Sequence, residues 1–271
     1  MTALAIAVVG SFLSVNQAFF ALKLWVPISD LTRGLLSANL QAGLLLLAVV
    51  VFGVIILGGQ YTPKQLGLDS KKLVTGIVLS VVVWFMVQLV ATIVTLSYGD
   101  AFITRQAWLG EHVTWTIGEL FGQLFGNALY EEILWRGFVL VQCLILFGRI
   151  RKSSSVSTVV LAVLLAALLF AVSHVPNRLM KGTYGGVGDV LNDQLRLVAY
   201  GCVFGWMYLR TKNLFFLVGV HAFVNRPTML IDIPRGVIEP HMLVLFFGIV
   251  ITVFWPWIVP HRLVTERMKA A

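Results

Sequence analysis

Long apolar runs, separated by short polar and charged stretches, divide the chain. They lie near 3–25, 38–58, 73–98, 115–147, 157–174, 195–209, 213–225 and 240–259. A helix crossing a bilayer needs about 20 apolar residues, with a wide range where it tilts or shelters inside a bundle. The pattern therefore predicts an all-α fold, a polytopic membrane helix bundle of about eight transmembrane helices. Ser14, Asn16 and Gln17 weaken the first run. The sixth and seventh are short, which implies shielding by neighbours or a tight turn at Thr211–Asn213. The sequence shows no repeats, low-complexity tracts or linkers, so residues 1–271 read as a single integral membrane domain. The first run has no cationic start and no small-residue cleavage site leading into a soluble domain, so it does not read as a cleaved signal peptide.

Composition supports the same solvent. The 271 residues are 59% hydrophobic and only 12% charged, where a soluble domain is roughly 25% charged. Cys143 and Cys202 both fall in apolar runs, without zinc-ligand spacing or a disulfide framework, and read as packing residues. The net charge of +8 does not point to nucleic acid, because the basic residues stand singly or in pairs between apolar runs. Alternate loops place Lys64, Lys71, Lys72, Arg149, Arg151, Lys152, Arg210, Lys212, Arg262, Arg267 and Lys269 on one side. Lys23, Arg33, Arg105, Arg178, Lys181, Arg196, Arg226 and Arg235 fall on the other. The richer set marks the cytoplasmic face, so both termini are expected in the cytoplasm.

Polar residues inside the apolar runs change the picture most. "NALYEEILWRGF" (127–138) puts Glu131 and Glu132 side by side, with Arg136 one turn later, in the run from Trp115 to Phe147. A charge at the centre of a membrane helix costs at least ~2.5–3.5 kcal/mol, so these groups need a reason. Glu119, Gln123, Asn127 and Glu131 recur every four residues and share one helical face. Gly118, Gly122 and Gly126 form a stripe beside them that lets another helix approach closely. That face is expected to line an intramembrane polar cavity. Glu132 and Arg136 can pair along the helix, which leaves Glu131 over.

Two further runs carry polar groups. "LLFAVSHVPN" puts His174 near the end of the fifth run, with Pro176 expected to end or bend the helix just beyond it. "LVGVHAFVN" puts His221 and Asn225 on one face of the seventh. Gly201 and Gly205 read as a packing pair, and "PNRLMKGTYGGVGDVLNDQ" (176–194) as a connecting loop after His174. From the residues alone, a catalytic or proton-handling site, a transporter relay and a structural network all stay open. Glu and two His could form a zinc site, although no HExxH occurs and Glu131 lies on a different run from either His.

The motifs taken together narrow this. "YEEILWRGF", "FAVSH" and "HAFVN" match E-E-x-x-x-R, F-x-x-x-H and H-x-x-x-N in that order. "YGCVFGWMYLRTKNLFFLVGVHA" between them has the small-residue helix and turn of the same pattern, and "LGLDSKK" (66–72) is similar to bacterial members. The chain thus resembles the CPBP intramembrane proteases, also called the CAAX protease and bacteriocin-processing family, over a catalytic-motif core at 115–228. The resemblance implies a metal-independent glutamic endopeptidase without a cofactor. By similarity, Glu131 and His174 would activate a water, and His221 and Asn225 would donate to the oxyanion. Glu132 and Arg136 would orient and balance the site. The implied partner is a membrane-associated peptide or protein substrate, lipid-modified or not. Without a Ser- and Arg-rich leader, the expected location is a prokaryotic plasma membrane. A scaffold or immunity protein of the same fold is the non-enzymatic alternative.

Overall fold

The computed structural model describes residues 2–99, 103–151, 155–233, 236–237 and 239–259. Lys152, Arg235, Arg262, Arg267 and Lys269 of the loop-charge pattern lie outside them. The described residues are mostly helical, with no strand and one isolated antiparallel bridge between Thr104 and Ile231. The helices are α1 (Thr2–Ala21), α2 (Val26–Leu31), α3 (Ala38–Gly58), α4 (Leu73–Ser97) and α5 (His112–Ile150). They continue with α6 (Val156–Met180), α7 (Val187–Thr211), α8 (Leu214–Asn225) and α9 (Pro240–Ile258).

Five of these, α3, α4, α5, α6 and α9, are long and apolar enough to cross a membrane. The eight apolar runs therefore yield five helices that meet the length and composition of a span. The apolar part of α1 and the whole of α8 are shorter. In α7 the charges of Asp189, Asp193, Arg196 and Arg210 interrupt the apolar surface.

Helix α5 is the axis around which the site is built. It winds with the wider π pitch over Gly122–Ala128 and Ile133–Val139, and the turn between them, Leu129–Glu132, is α-helical. Such wide turns recur at functional sites because they re-aim side chains. A four-residue step overshoots an α turn of 3.6 residues and undershoots a π turn, so the two drifts offset. The polar stripe ending at Glu131 therefore stays on one side.

The glycine stripe does what its spacing suggests. A Cβ at Gly118 would meet the Gly34 backbone, one at Gly122 the Ser37 side chain, and one at Gly126 the Asn39 backbone. The chain entering α3 thus lies directly on α5, and Ser37 Oγ seals the contact by donating to the Gly118 carbonyl at 3.0 Å. Gly201 of α7 meets Ala167 of α6 in the same manner.

Helix α8 is too short to span because it need not face lipid. From Leu214 to Val224 only Phe215 escapes full burial. The expected tight turn precedes it, with Lys212 left-handed at φ 51°. Asn213 Oδ1 accepts from Phe216 N–H at 3.1 Å, and its Nδ2 donates to the Lys72 carbonyl at 3.0 Å. Beyond Asn225 the chain is tied down by the Trp84 indole donating to Thr228 O (3.2 Å) and the Trp108 indole to Met229 O (2.9 Å). Those bonds hold the end of α8 in place.

One local expectation is corrected. Pro176 lies inside α6, which continues to Met180, and α7 begins at Val187. The stretch 176–194 is therefore mostly helix, joined by a short connection at 181–186. A membrane helix tolerates an internal proline because neighbouring side chains and turns can satisfy the freed carbonyl.

Candidate active site

Glu131, His174, His221 and Asn225 come from three helices and line one cavity of about 350 Å³. Helix α5 supplies Glu131, α6 His174, and α8 His221 and Asn225. Glu131 stands between the two imidazoles. Its Oε1 is 3.8 Å from His174 Nε2 and its Oε2 is 3.7 Å from His221 Nε2. Both separations are too long for direct hydrogen bonds, and a water can bridge such a gap.

The other nitrogen of each ring is committed. His174 Nδ1 lies 2.8 Å from the Phe170 carbonyl one turn back. A carbonyl only accepts, so Nδ1 donates to it, and Nε2 is the nitrogen turned toward Glu131. The Phe170 ring stands edge-on to His174 at 4.6 Å. His221 Nδ1 lies 2.6 Å from Glu132 Oε1, within charge-assisted range.

Glu132 and Arg136 form the expected pair, with Arg136 Nη1 donating to Glu132 Oε1 at 3.0 Å. Both side chains are almost wholly buried behind the cavity. The guanidinium also lies over the rings of Phe170 (4.9 Å) and Phe204 (5.3 Å), which favours a cation where water is scarce. The helical spacing did not reveal that the same Glu132 oxygen serves His221. Glu132 is thus the junction between a buried cation and a site imidazole.

Asn225 Nδ2 donates to Gln123 Oε1 at 3.1 Å, which commits one of its two N–H groups and leaves the other for a ligand. Glu119, at the start of the α5 stripe, instead pairs with Arg226 at 3.7 Å. Among the described residues, no group of three His, Cys, Asp or Glu side chains is placed to hold a metal ion.

Residues 113–226, from the start of α5 to just past α8, match the family model described as type II CAAX prenyl endopeptidase, Rce1-like. The site-bearing segment is similar to that Rce1-like family. The match covers less than half of the chain and includes the E-E-x-x-x-R, F-x-x-x-H and H-x-x-x-N motifs, whereas "LGLDSKK" (66–72) lies outside it. No curated protein and no solved structure matches the chain. The Rce1-like segment and the five long apolar helices support an integral membrane protein, and the family supports a membrane protease.

Several cavity-lining residues lie outside the Rce1-like segment, and sequence reasoning did not assign them to the site. Phe12, Asn16 and Phe20 come from α1, and Asn39, Ala42 and Leu46 from α3. A signal was present for α1, since these three recur every four residues around a polar position in an apolar run.

At the cavity's edge, Arg178 and Lys181 sit beside a network centred on Asp193. Tyr184 OH donates to Asp193 Oδ2 at 2.9 Å, Arg196 Nη2 to Oδ1 at 2.7 Å, and Arg178 Nε stands 3.4 Å from Oδ2. Burial pushes the Asp193 carboxyl upward, but these donors and the two arginine charges outweigh it and hold its pKa below the ordinary value. Lys181 is pulled below its ordinary value by burial and by neighbouring Arg178.

Proposed function

We propose that the chain is an intramembrane endopeptidase in which Glu131 and His174 activate a water for attack on a peptide bond. The observation that carries this reading is the placement of one carboxylate against the Nε2 atoms of two histidines inside the cavity. The water donates one O–H to Glu131 and the other to His174 Nε2. Its oxygen attacks the carbonyl carbon as Glu131 takes the proton, and the carbonyl π pair moves onto oxygen. When the intermediate collapses, the C–N bond breaks and Glu131 returns its proton to the departing amine.

The oxyanion is met by Asn225 Nδ2 and His221 Nε2. Glu132 holds Nδ1 of His221 at 2.6 Å, which turns Nε2 toward Glu131 at 3.7 Å, the nitrogen that donates to the oxyanion in this reading. Preorganised donors of this kind contribute most where water is excluded. Glu132 and Arg136 orient the imidazole and balance the site. The substrate class is a membrane-associated peptide or protein, with a prenylated CAAX peptide as the first probe. In this reading the site needs no metal, and both termini face the cytoplasm.

The deciding experiment compares wild type with Glu131→Ala in detergent, on quenched-fluorescent peptides that include farnesylated CAAX sequences, with and without a chelator. Chelator-resistant cleavage that vanishes in the variant is expected. Cleavage that survives in folded Glu131→Ala protein overturns the assignment. Chelator-sensitive cleavage restored by zinc overturns its metal-independent form.

A further inference from the structure

Helix α1 lies outside the Rce1-like segment, yet it closes one wall of the cavity. Phe12, Asn16 and Phe20 project from one face at four-residue spacing. Phe12 stacks on Tyr130, the residue before Glu131, with ring centroids 6.0 Å apart and planes at 17°. Phe20 lies under the Lys181 ammonium at 5.2 Å. The two aromatic contacts bracket Asn16 and hold its carboxamide against the cavity.

Asn16 is 8% exposed and lines the cavity, and among the described residues its side chain has no hydrogen-bond partner. On a membrane helix a polar side chain usually bonds to a neighbouring helix. Asn16 makes no such bond. Its company in the cavity is of the same kind, with Asn39 on α3, Asn127 on α5 and Asn177 on α6 also lining it. Asn177 Oδ1 is buried without a partner.

A carboxamide offers one acceptor and two donors, the same groups that a peptide backbone presents. Four of them around one cavity suit an extended main chain and not a hydrocarbon chain, which could satisfy none of them. We infer that Asn16 is a substrate-binding residue that hydrogen-bonds the backbone of the bound peptide near the bond to be cut, so that α1 determines how the peptide is held. This inference rests on the peptidase reading for its ligand. Recognition through the backbone tolerates varied side chains, and any lipid on the substrate then lies outside the carboxamide-lined part of the cavity.

The test measures binding and not turnover, which separates its failure from that of the peptidase reading. A fluorescein-labelled farnesylated CAAX peptide is titrated against Glu131→Gln protein with Asn16 intact or changed to Leu. Leucine suits a membrane helix, and thermal melting verifies that the fold survives. Each backbone amide of the probe is then replaced in turn by an ester, which removes one N–H donor and weakens one carbonyl. With Asn16 intact, one position weakens binding about three- to tenfold, the worth of one hydrogen bond. In Asn16→Leu the all-amide peptide is weakened by a similar factor, and that ester costs nothing further. Equal binding by the two proteins, identical ester profiles, or no peptide binding to the Glu131→Gln protein would each overturn the inference.

Discussion

His221 Nδ1 lies 2.6 Å from Glu132 Oε1, the same oxygen that accepts from Arg136 at 3.0 Å. One carboxylate oxygen therefore couples a buried guanidinium to the imidazole that faces Glu131. Its second oxygen, Oε2, and Arg136 Nη2 are both buried without a partner, so Glu132 and Arg136 depend on each other.

This coupling separates the two glutamates by experiment. Glu132→Gln keeps the volume and an acceptor for His221 but removes the negative charge beside its ring. Turnover should fall on the order of 10²- to 10³-fold with KM little changed. Glu132→Ala and Arg136→Ala each strand a buried charge and should cost about 3–5 kcal/mol of stability. Thermal melting in detergent should show the loss in both alanine variants and much less of it in Glu132→Gln. A Glu132→Gln enzyme with wild-type turnover would refute the coupling.

Glu131 has the opposite signature. It faces the cavity, makes no direct hydrogen bond to either histidine, and is 13% exposed. Glu131→Ala and His174→Ala should abolish peptide cleavage while the melting temperature stays near that of wild type, because neither removal leaves a buried partner charge. Cleavage and melting measured on the same preparations distinguish this from general damage.

Asn225 and Gln123 should differ in degree. In the proposed mechanism Asn225→Ala removes an oxyanion donor and should reduce kcat on the order of 10²- to 10³-fold, with residual cleavage still measurable. Gln123→Ala removes only the acceptor that orients Asn225 and should cost less. Equal losses in the two variants would instead give Gln123 its own contact with substrate.

The glycine seam should be intolerant of bulk. A Cβ at Gly126 would collide with the Asn39 backbone, and backbone cannot rotate away as a side chain can. Gly126→Val should therefore destabilise by at least the ~1–3 kcal/mol typical of overpacking. A lower folded yield should show it, whereas Gly148, with open space around its Cα, should accept alanine without loss.

Acid should loosen the connection between α6 and α7. Asp193 is held below its ordinary pKa in the folded chain, so its contribution is fully present above the unfolded value of about 3.9. That contribution fades as pH falls from there through the lowered folded value, because the unfolded state then binds the proton first. Hydrogen exchange in 181–186 should quicken over that interval. In Asp193→Asn it should be fast already at neutral pH and change little on acidification.

Much of this protein was decided locally and could be read along the chain. The Glu132–Arg136 pair, the polar stripe to Glu131, the Gly118, Gly122 and Gly126 seam, and the Thr211–Asn213 turn all follow from spacing within one helix or one turn. Short-range periodicity carries such information because neighbours along a helix are neighbours in space. Tertiary structure alone decided which nitrogen of each histidine is free and that His221 shares a carboxylate oxygen with Arg136. It also made α1, outside the matched segment, a wall of the site. These facts depend on contacts between residues far apart in sequence. They were settled when the helices packed, which left some buried polar atoms, such as Glu132 Oε2, without a partner and turned Asn16 to the cavity.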